Sequence, residues 1–316
     1  LIPLHPQQEY MSTLLTSIWG GVVTALMAAL FWAYASLLFD RMGQSLSALE
    51  INLIKGSGAL FFSLVTLLIG GETLAGIPLS ALLLLSISGV IGITFGDTTF
   101  LQAIRYMGAR RMLLLSTLAP PITGLISWIF LGERLPALAW LGILVTIAGI
   151  AWVITERTAE GEKPVDLRKG LFYGILAALG QSIALVISRA VLTQNEISSL
   201  QSSIVRLIPS MVLLVLWQLA RKQPPLRISQ FKITPGLWKT ALIATIIGAY
   251  LAMWLQQIAV GLAPAGIAQT LLSTSPVFVL PMAALNGEKL SWRAVLGAVI
   301  ALAGVWVLIQ ATSMAA

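Results

Sequence analysis

The sequence predicts an all-α integral membrane fold, with ten transmembrane helices arranged as two inverted five-helix repeats. Three observations carry that expectation: an apolar composition, ten long apolar runs, and motifs that recur at a constant spacing. Of 316 residues, 58% are hydrophobic and only 10% are charged; the mean hydropathy is +0.92. Soluble domains carry roughly 25% charge and about 45–50% apolar residues. Nineteen basic and twelve acidic residues are too few to cover a water-facing surface, so lipid is the expected solvent. The net charge of +7 sits in short segments between apolar runs. That distribution fits a face on an anionic leaflet, not nucleic acid. The absence of cysteine excludes disulfides, thiolate metal sites and a cysteine nucleophile. The sole histidine, His5, lies in a polar tail, and no cofactor is expected. No basic n-region precedes the first apolar run, so a cleaved signal peptide is not expected. Met11 is a candidate natural start.

A transmembrane helix needs roughly 20 mostly apolar residues. Runs of that kind fall at 20–39, 47–70, 79–104, 110–131, 136–155, 170–192, 198–219, 236–259, 265–286 and 291–311. Charged or glycine-containing breaks separate them, among them Gly70-Gly71-Glu72, Arg110-Arg111, Gly132-Glu133-Arg134 and Gly287-Glu288-Lys289. Barrel strands would be about 10 residues long with alternating polarity, and these runs are neither. Most basic residues fall in the odd-numbered loops, for example Arg41, Arg110, Arg111, Arg168, Lys169, Arg221 and Lys239. By the positive-inside rule those loops are cytoplasmic and both termini lie outside. The implied organisation is a tail (1–19), a first repeat (20–155), a cytoplasmic linker (156–169), a second repeat (170–311) and a short tail (312–316).

A shift of about 155 residues lays the fourth and fifth spans on the ninth and tenth. Pro121 then meets Pro276, and Gly132-Glu133-Arg134-Leu135 meets Gly287-Glu288-Lys289-Leu290. Leu141-Gly142 meets Leu296-Gly297, and Ala148-Gly149 meets Ala303-Gly304. Slightly smaller shifts bring Lys55 onto Arg206 and Gln102 onto Gln256. Because each repeat holds an odd number of spans, the second enters the membrane from the opposite side. Inverted repeats suit alternating access to a site at their interface near the midplane.

These paired Gly-Glu-basic-Leu motifs, each between a proline-containing span and a Leu-Gly…Ala-Gly helix, resemble the two EamA-type repeats of the drug/metabolite transporter superfamily. Ala119-Pro120-Pro121 and Ser275-Pro276 fit the same pattern. The resemblance covers nearly all of residues 15–311. It implies a ten-helix basket around a central cavity, and export or exchange of amino acids, other metabolites, nucleotide sugars or sugar phosphates. One departure is the second loop, Gly70 to Pro78, which many members make basic and which here carries only Glu72.

Charge inside a bilayer costs roughly 2.5–3.5 kcal/mol at a helix centre, so each such residue needs a reason. Asp97 and Lys55 each lie about 10 Å from the same membrane face. Asp97 is a protonation or substrate-amine site, or else a structural partner of Lys55. Arg206 has no obvious acidic partner within the membrane; it holds a carboxylate or phosphate, or it snorkels to the outer interface. Trp32, Gln181, Tyr250, Trp254, Gln257, Gln269 and Ser273 supply aromatic and polar groups for a partly polar cavity. For each of these, interhelical bonding is the competing role. Glu133 and Glu288 open helices and suit the positive helix end. Gly92-xxx-Gly96 and Gly170-xxx-Gly174 read as packing signals.

The expected activity is secondary transport of a small metabolite, an amino acid or related compound, in the export direction. Partners are then a small-molecule substrate, the lipid bilayer and, as coupling ion, protons, with the chain acting as a monomer or homodimer in a bacterial inner membrane. Exchange of anionic metabolites such as sugar phosphates is the alternative. A membrane enzyme would want an acidic or histidine cluster, and a channel a ring of like charges; neither pattern stands out. No P-loop is present for ATP-driven pumping.

Overall fold

The computed structural model describes residues 18–43, 45–155, 166–221, 236–285 and 292–313. Every regular element among these residues is helical. Helix α1 (Ile18–Gly43) is followed by α2 (Ala48–Ile69). Helix α3 (Leu79–Gly89) runs through a π-helical segment, Val90–Asp97, into α4 (Thr98–Ser116), and α5 (Ala119–Leu131) and α6 (Ala137–Thr155) follow. Beyond the linker come α7 (Leu167–Gln194), α8 (Ser199–Ala220) and α9 (Leu237–Ala244). A second π-helical segment, Thr245–Leu251, leads into α10 (Ala252–Leu262), α11 (Ala265–Leu272), α12 (Ser275–Leu285) and α13 (Trp292–Ser313).

Six stretches among the described residues are long and apolar enough to cross a membrane: Trp19–Gly43, Ala48–Ile69, Leu79–Met107, Leu167–Gln194, Ser199–Ala220 and Leu237–Leu262. Ala119–Leu131, Ala137–Trp152 and Val295–Ala311 are shorter apolar helices. The fourth and ninth expected spans are not single rods. Backbone helix continues through Arg110-Arg111 to Ser116 and breaks at Thr117-Leu118, and the corresponding break is at Ser273-Thr274. Arginine is a good helix former, so a charge pair ends an apolar run without ending a helix. Proline does end one, because it lacks the N–H and crowds the preceding turn. Pro120, Pro121 and Pro276 accordingly sit in the first turn of α5 and α12, where the missing donor is not needed.

The outer surface is apolar. Ile69 (83% exposed), Leu68 (77%) and Phe130 (76%) face outward, while Ala25, Ala28 and Ala29 on α1 are fully buried. Large side chains outside and small ones inside suit a lipid environment, where close helix approach rather than water exclusion drives packing. The chain is thus a multi-pass membrane protein.

Helices α2 and α8 begin alike. Ser47 and Glu50 form a capping box on α2, and Ser198 and Gln201 form one on α8. Each box satisfies orphan N–H groups at the helix start. Helices α6 and α13 pack antiparallel through the glycines of the repeated motifs. Gly142 lies against Leu308, Gly149 against Ala301, and Gly304 against Thr146. A Cβ at Gly142 would stand 2.7 Å from the Leu308 nitrogen, and one at Gly149 or Gly304 would collide with the facing backbone.

Candidate substrate site

The first π-helical segment organises the charged residues. A π turn replaces the i→i+4 bond pattern with a wider one and is frequent at functional sites. Here side chains from neighbouring helices bond its carbonyls. Asn52 Nδ2 on α2 donates to the Ile93 carbonyl (2.8 Å) and to Thr98 Oγ1 (3.0 Å). Gln181 Nε2 on α7 donates to the Gly92 carbonyl (3.2 Å). Thr94 Oγ1 donates in turn to the Ser210 carbonyl on α8 (3.2 Å). The segment is thereby tied to α2, α7 and α8.

Asp97 closes this segment and is buried. Its Oδ2 forms an ion pair with Lys55 Nζ, and its Oδ1 accepts from Gln181 Nε2 at 2.7 Å. Both carboxylate oxygens are therefore occupied. The Lys55 ammonium also lies 5.4 Å from the Trp32 ring centre and 6.0 Å from that of Phe39. These are cation–π distances. Lys55, Asp97, Gln181 and Trp32 thus meet in one node. Asn52 and Phe39 belong to it as well, and the sequence reading passed them over. Asn52 precedes Lys55 by three residues, so both lie on one helix face; that spacing was the available signal.

Arg206 occupies the same place in α8 that Lys55 occupies in α2, eight residues beyond the capping serine. It is buried, with 4% of its surface exposed. Its Nε and Nη1 have no hydrogen-bond partner. Snorkelling to the interface does not describe this placement. The Arg206 backbone abuts Gly89, and a Cβ at Gly92 would stand 3.3 Å from Nη2 and 2.7 Å from the Ala184 Cβ. Gly92 and Gly96 therefore do more than let helices approach. They leave room beside the segment for the Arg206 guanidinium and the Gln181 amide, whose Nε2 would stand 3.3 Å from a Cβ at Gly96. Gly170, by contrast, packs on Met107, and Gly174 on Leu115 and Met112.

A second group forms around the other π segment. Tyr250 stacks on Trp254 with ring centres 6.0 Å apart and lies 5.9 Å from Phe62. Its hydroxyl lies 2.5 Å from Thr66 Oγ1. Gln257 Oε1 accepts from Ser202 Oγ at 3.0 Å. Trp254 packs with Leu200 and Ile204, so this group lines the first turns of α8, ahead of Arg206. Gln269 on α11 and Ser273 at its C-terminal cap stand apart, and Ser273 Oγ donates to the Gln269 carbonyl (2.8 Å). At the adjacent break, Thr274 Oγ1 and Ser275 Oγ donate to the carbonyls of Leu271 (2.6 Å) and Leu272 (3.0 Å). Those freed carbonyls are met by hydroxyls of the chain itself.

Glu133 also sits at a helix N-terminus, though not that of the helix it precedes. Gly132, with φ of 68°, ends α5 in the left-handed region where glycine is favoured. Glu133 then reaches across the fold. Its Oε2 accepts from the Ala265 N–H of α11 (2.8 Å), and its Oε1 accepts from Arg189 Nε (2.7 Å). Arg189 Nη1 donates to the carbonyls of Val260 (2.9 Å) and Gly261 (2.7 Å) at the end of α10. One ion pair thus clamps the α10–α11 joint, satisfying a helix start and a helix end together. Glu288 lies outside the described residues.

An apolar exterior around buried, hydrogen-bonded charge defines a class, the polytopic helical membrane proteins. The comparisons narrow it. The profile of the EamA-like transporter family matches residues 19–155 and again 168–310, so the chain belongs to that family. It is therefore a membrane transporter of small molecules. Protein LicB of Haemophilus influenzae is 27% identical over 219 residues, covering 67% of this chain and 72% of LicB. A solved crystal structure superimposes with a TM-score of 0.77 at 16% identity, over 94% of this chain and 99% of the other. At that identity the likeness concerns the fold alone.

Proposed function

We propose that the chain is a secondary carrier that moves a small metabolite, an amino acid or related compound, out of the cell by alternating access. The observation that carries this reading is the buried node of Lys55, Asp97 and Gln181 around a π-helical segment, inside a protein whose exterior is apolar. Buried charge is expensive in a bilayer and tends to mark a solute or ion path. The reading includes ten spans in two inverted repeats, 20–155 and 170–311, around a central cavity, with a cytoplasmic linker at 156–169 and both termini outside a bacterial inner membrane. The antiparallel α6–α13 seam supports the inversion, because its contacts are reciprocal under the repeat. Rocking of the repeats about that seam would expose the node to each side in turn.

In this reading Trp32, Tyr250, Trp254, Gln257, Gln269 and Ser273 line the substrate path, and Asp97 releases Lys55 when a proton or a substrate amine takes its place. Arrival of that proton or amine at the carboxylate opens the ion pair with Lys55. The test is reconstitution in liposomes with a panel of labelled amino acids, with and without an imposed pH gradient. Uptake or efflux above protein-free vesicles is expected. Failure of every solute to cross counts against the carrier, and an unchanged proton-coupled flux in Asp97→Asn removes the proposed coupling role. The cysteine-free sequence offers a direct check of orientation: a single cysteine placed in 156–169 is expected to react with impermeant maleimide from the cytoplasmic side alone. Exchange of anionic metabolites is a second reading, favoured by the unpartnered Arg206.

A further inference from the structure

Two cations and one carboxylate share the region around the first π-helical segment. Lys55 and Gln181 take both oxygens of Asp97. Arg206 feels the Asp97 charge but makes no hydrogen bond to it. A guanidinium left in this way is costly, because buried charge is normally paired and hydrogen-bonded. The surrounding structure nevertheless holds it there. Gly89 admits the Arg206 backbone, Gly92 leaves space at Nη2, and Ser210 Oγ donates to the Arg206 carbonyl at 2.6 Å. Pro209 lies inside α8 three residues further on.

We propose that Arg206 binds the carboxylate of a monoanionic or zwitterionic substrate, between the first π-helical segment, α7 and α8. This deepens the carrier reading and rests on it. The charge balance selects the ligand. Lys55, Asp97 and Arg206 sum to one positive charge, which a monoanion neutralises, a zwitterion leaves unchanged while still pairing its carboxylate with Arg206, and a dianion overshoots. The guanidinium fork presents parallel donors that match a carboxylate in two-point geometry. Such a contact pairs Nη2, beside Gly92, with either Nε or Nη1, both of which are free. The aromatic group of Tyr250 and Trp254, packed on the turns of α8 ahead of Arg206, then faces the rest of the solute.

The experiment uses the full chain in phosphatidylcholine nanodiscs, which carry no net anionic lipid. Thermal unfolding is followed by tryptophan fluorescence with L-alanine, L-phenylalanine, L-lactate, the two matching amino-acid amides, and inorganic phosphate. At least one carboxylate is expected to raise the midpoint while its amide counterpart does not. Arg206→Met is expected to weaken that ligand about tenfold or more, as loss of a charge-assisted contact should, with Arg206→Lys in between. Without ligand, Arg206→Met is expected to unfold no earlier than the parent, since methionine removes an unpartnered buried charge. A lower midpoint for that variant without ligand would overturn the proposal, because the guanidinium would then already be satisfied. Equal response to acid and amide, no Arg206-dependent response to any carboxylate, or a response to phosphate alone would overturn it too. So would an Arg206-dependent stabilisation that appears only in phosphatidylglycerol nanodiscs, which would make a lipid headgroup the ligand. Flux of the same solutes in liposomes separates the two claims. Arg206-dependent binding without flux removes the carrier and keeps the site; flux indifferent to Arg206→Met does the reverse.

Discussion

The α6–α13 seam and the charged node treat the same internal repeat in opposite ways. At the seam, Gly149 packs on Ala301 and Gly304 packs on Thr146, and these pairs exchange under the repeat shift. At the node, the equivalent residues Lys55 and Arg206 start from equivalent capping boxes and end differently. Lys55 has a carboxylate partner and two aromatic faces, while Arg206 has two nitrogens without partners. The seam is scaffold, and the repeat serves it. The node departs from the repeat because one acidic residue, Asp97, stands in the first half where the second has an apolar residue near Leu251. A pivot benefits from symmetry, whereas a site that must hold one particular solute has no such need.

The sharpest way to break this contrast is to neutralise Asp97. Asp97→Asn leaves two buried cations without a counter-charge, and about 3–5 kcal/mol of stability is expected to disappear. The double variant Lys55→Met with Asp97→Asn removes the pair together and is expected to recover much of the loss. Denaturant unfolding of the purified chain measures both. A single variant as stable as the parent would mean that Asp97 does not balance the node.

The seam makes the converse prediction. Gly149→Val and Gly304→Val each drive a branched side chain into the facing backbone. Each is expected to cost about 2–3 kcal/mol, and the two should agree to within about 1 kcal/mol. A large inequality between them would mean that the seam is less reciprocal than its contacts. The Glu133–Arg189 clamp comes next. Glu133→Gln keeps an acceptor for the Ala265 N–H but loses the ionic partner of Arg189. A loss of about 1–2 kcal/mol is expected, together with faster proteolysis at the α10–α11 joint.

Membrane character and family were legible in the sequence because both depend on local pattern: long apolar runs, and prolines and glycines at matched spacing. The helix breaks of the fourth and ninth spans were less legible. Arg110-Arg111 ended an apolar run and looked like an ending, whereas the physical break belongs to the prolines downstream. The π-helical segments left no trace in hydropathy, since one extra residue in a turn changes backbone bonding and not composition. The same holds for Asn52, whose role is to bond a carbonyl freed 41 positions away. Asp97 and Lys55 stood out because charge in an apolar run is rare. That Arg206 lies beside Gly92 follows from three helices meeting, which no single run encodes.

The smallest expected effect falls on the aromatic group beside the node. Thr66 Oγ1 donates to the Phe62 carbonyl at 2.9 Å, which leaves the Tyr250 hydroxyl as the donor in the bond between them. Tyr250→Phe removes that donor and strands nothing, because Thr66 keeps its own bond. A stability loss of about 0.6 kcal/mol is expected, near the average for hydrogen bonds between membrane helices. If Tyr250 only braces α2 against the second π segment, flux in liposomes should be unchanged. If its hydroxyl instead contacts the solute in the transport cycle, flux should fall while stability barely moves. The two readouts together separate bracing from recognition at an aromatic whose polar end is already accounted for.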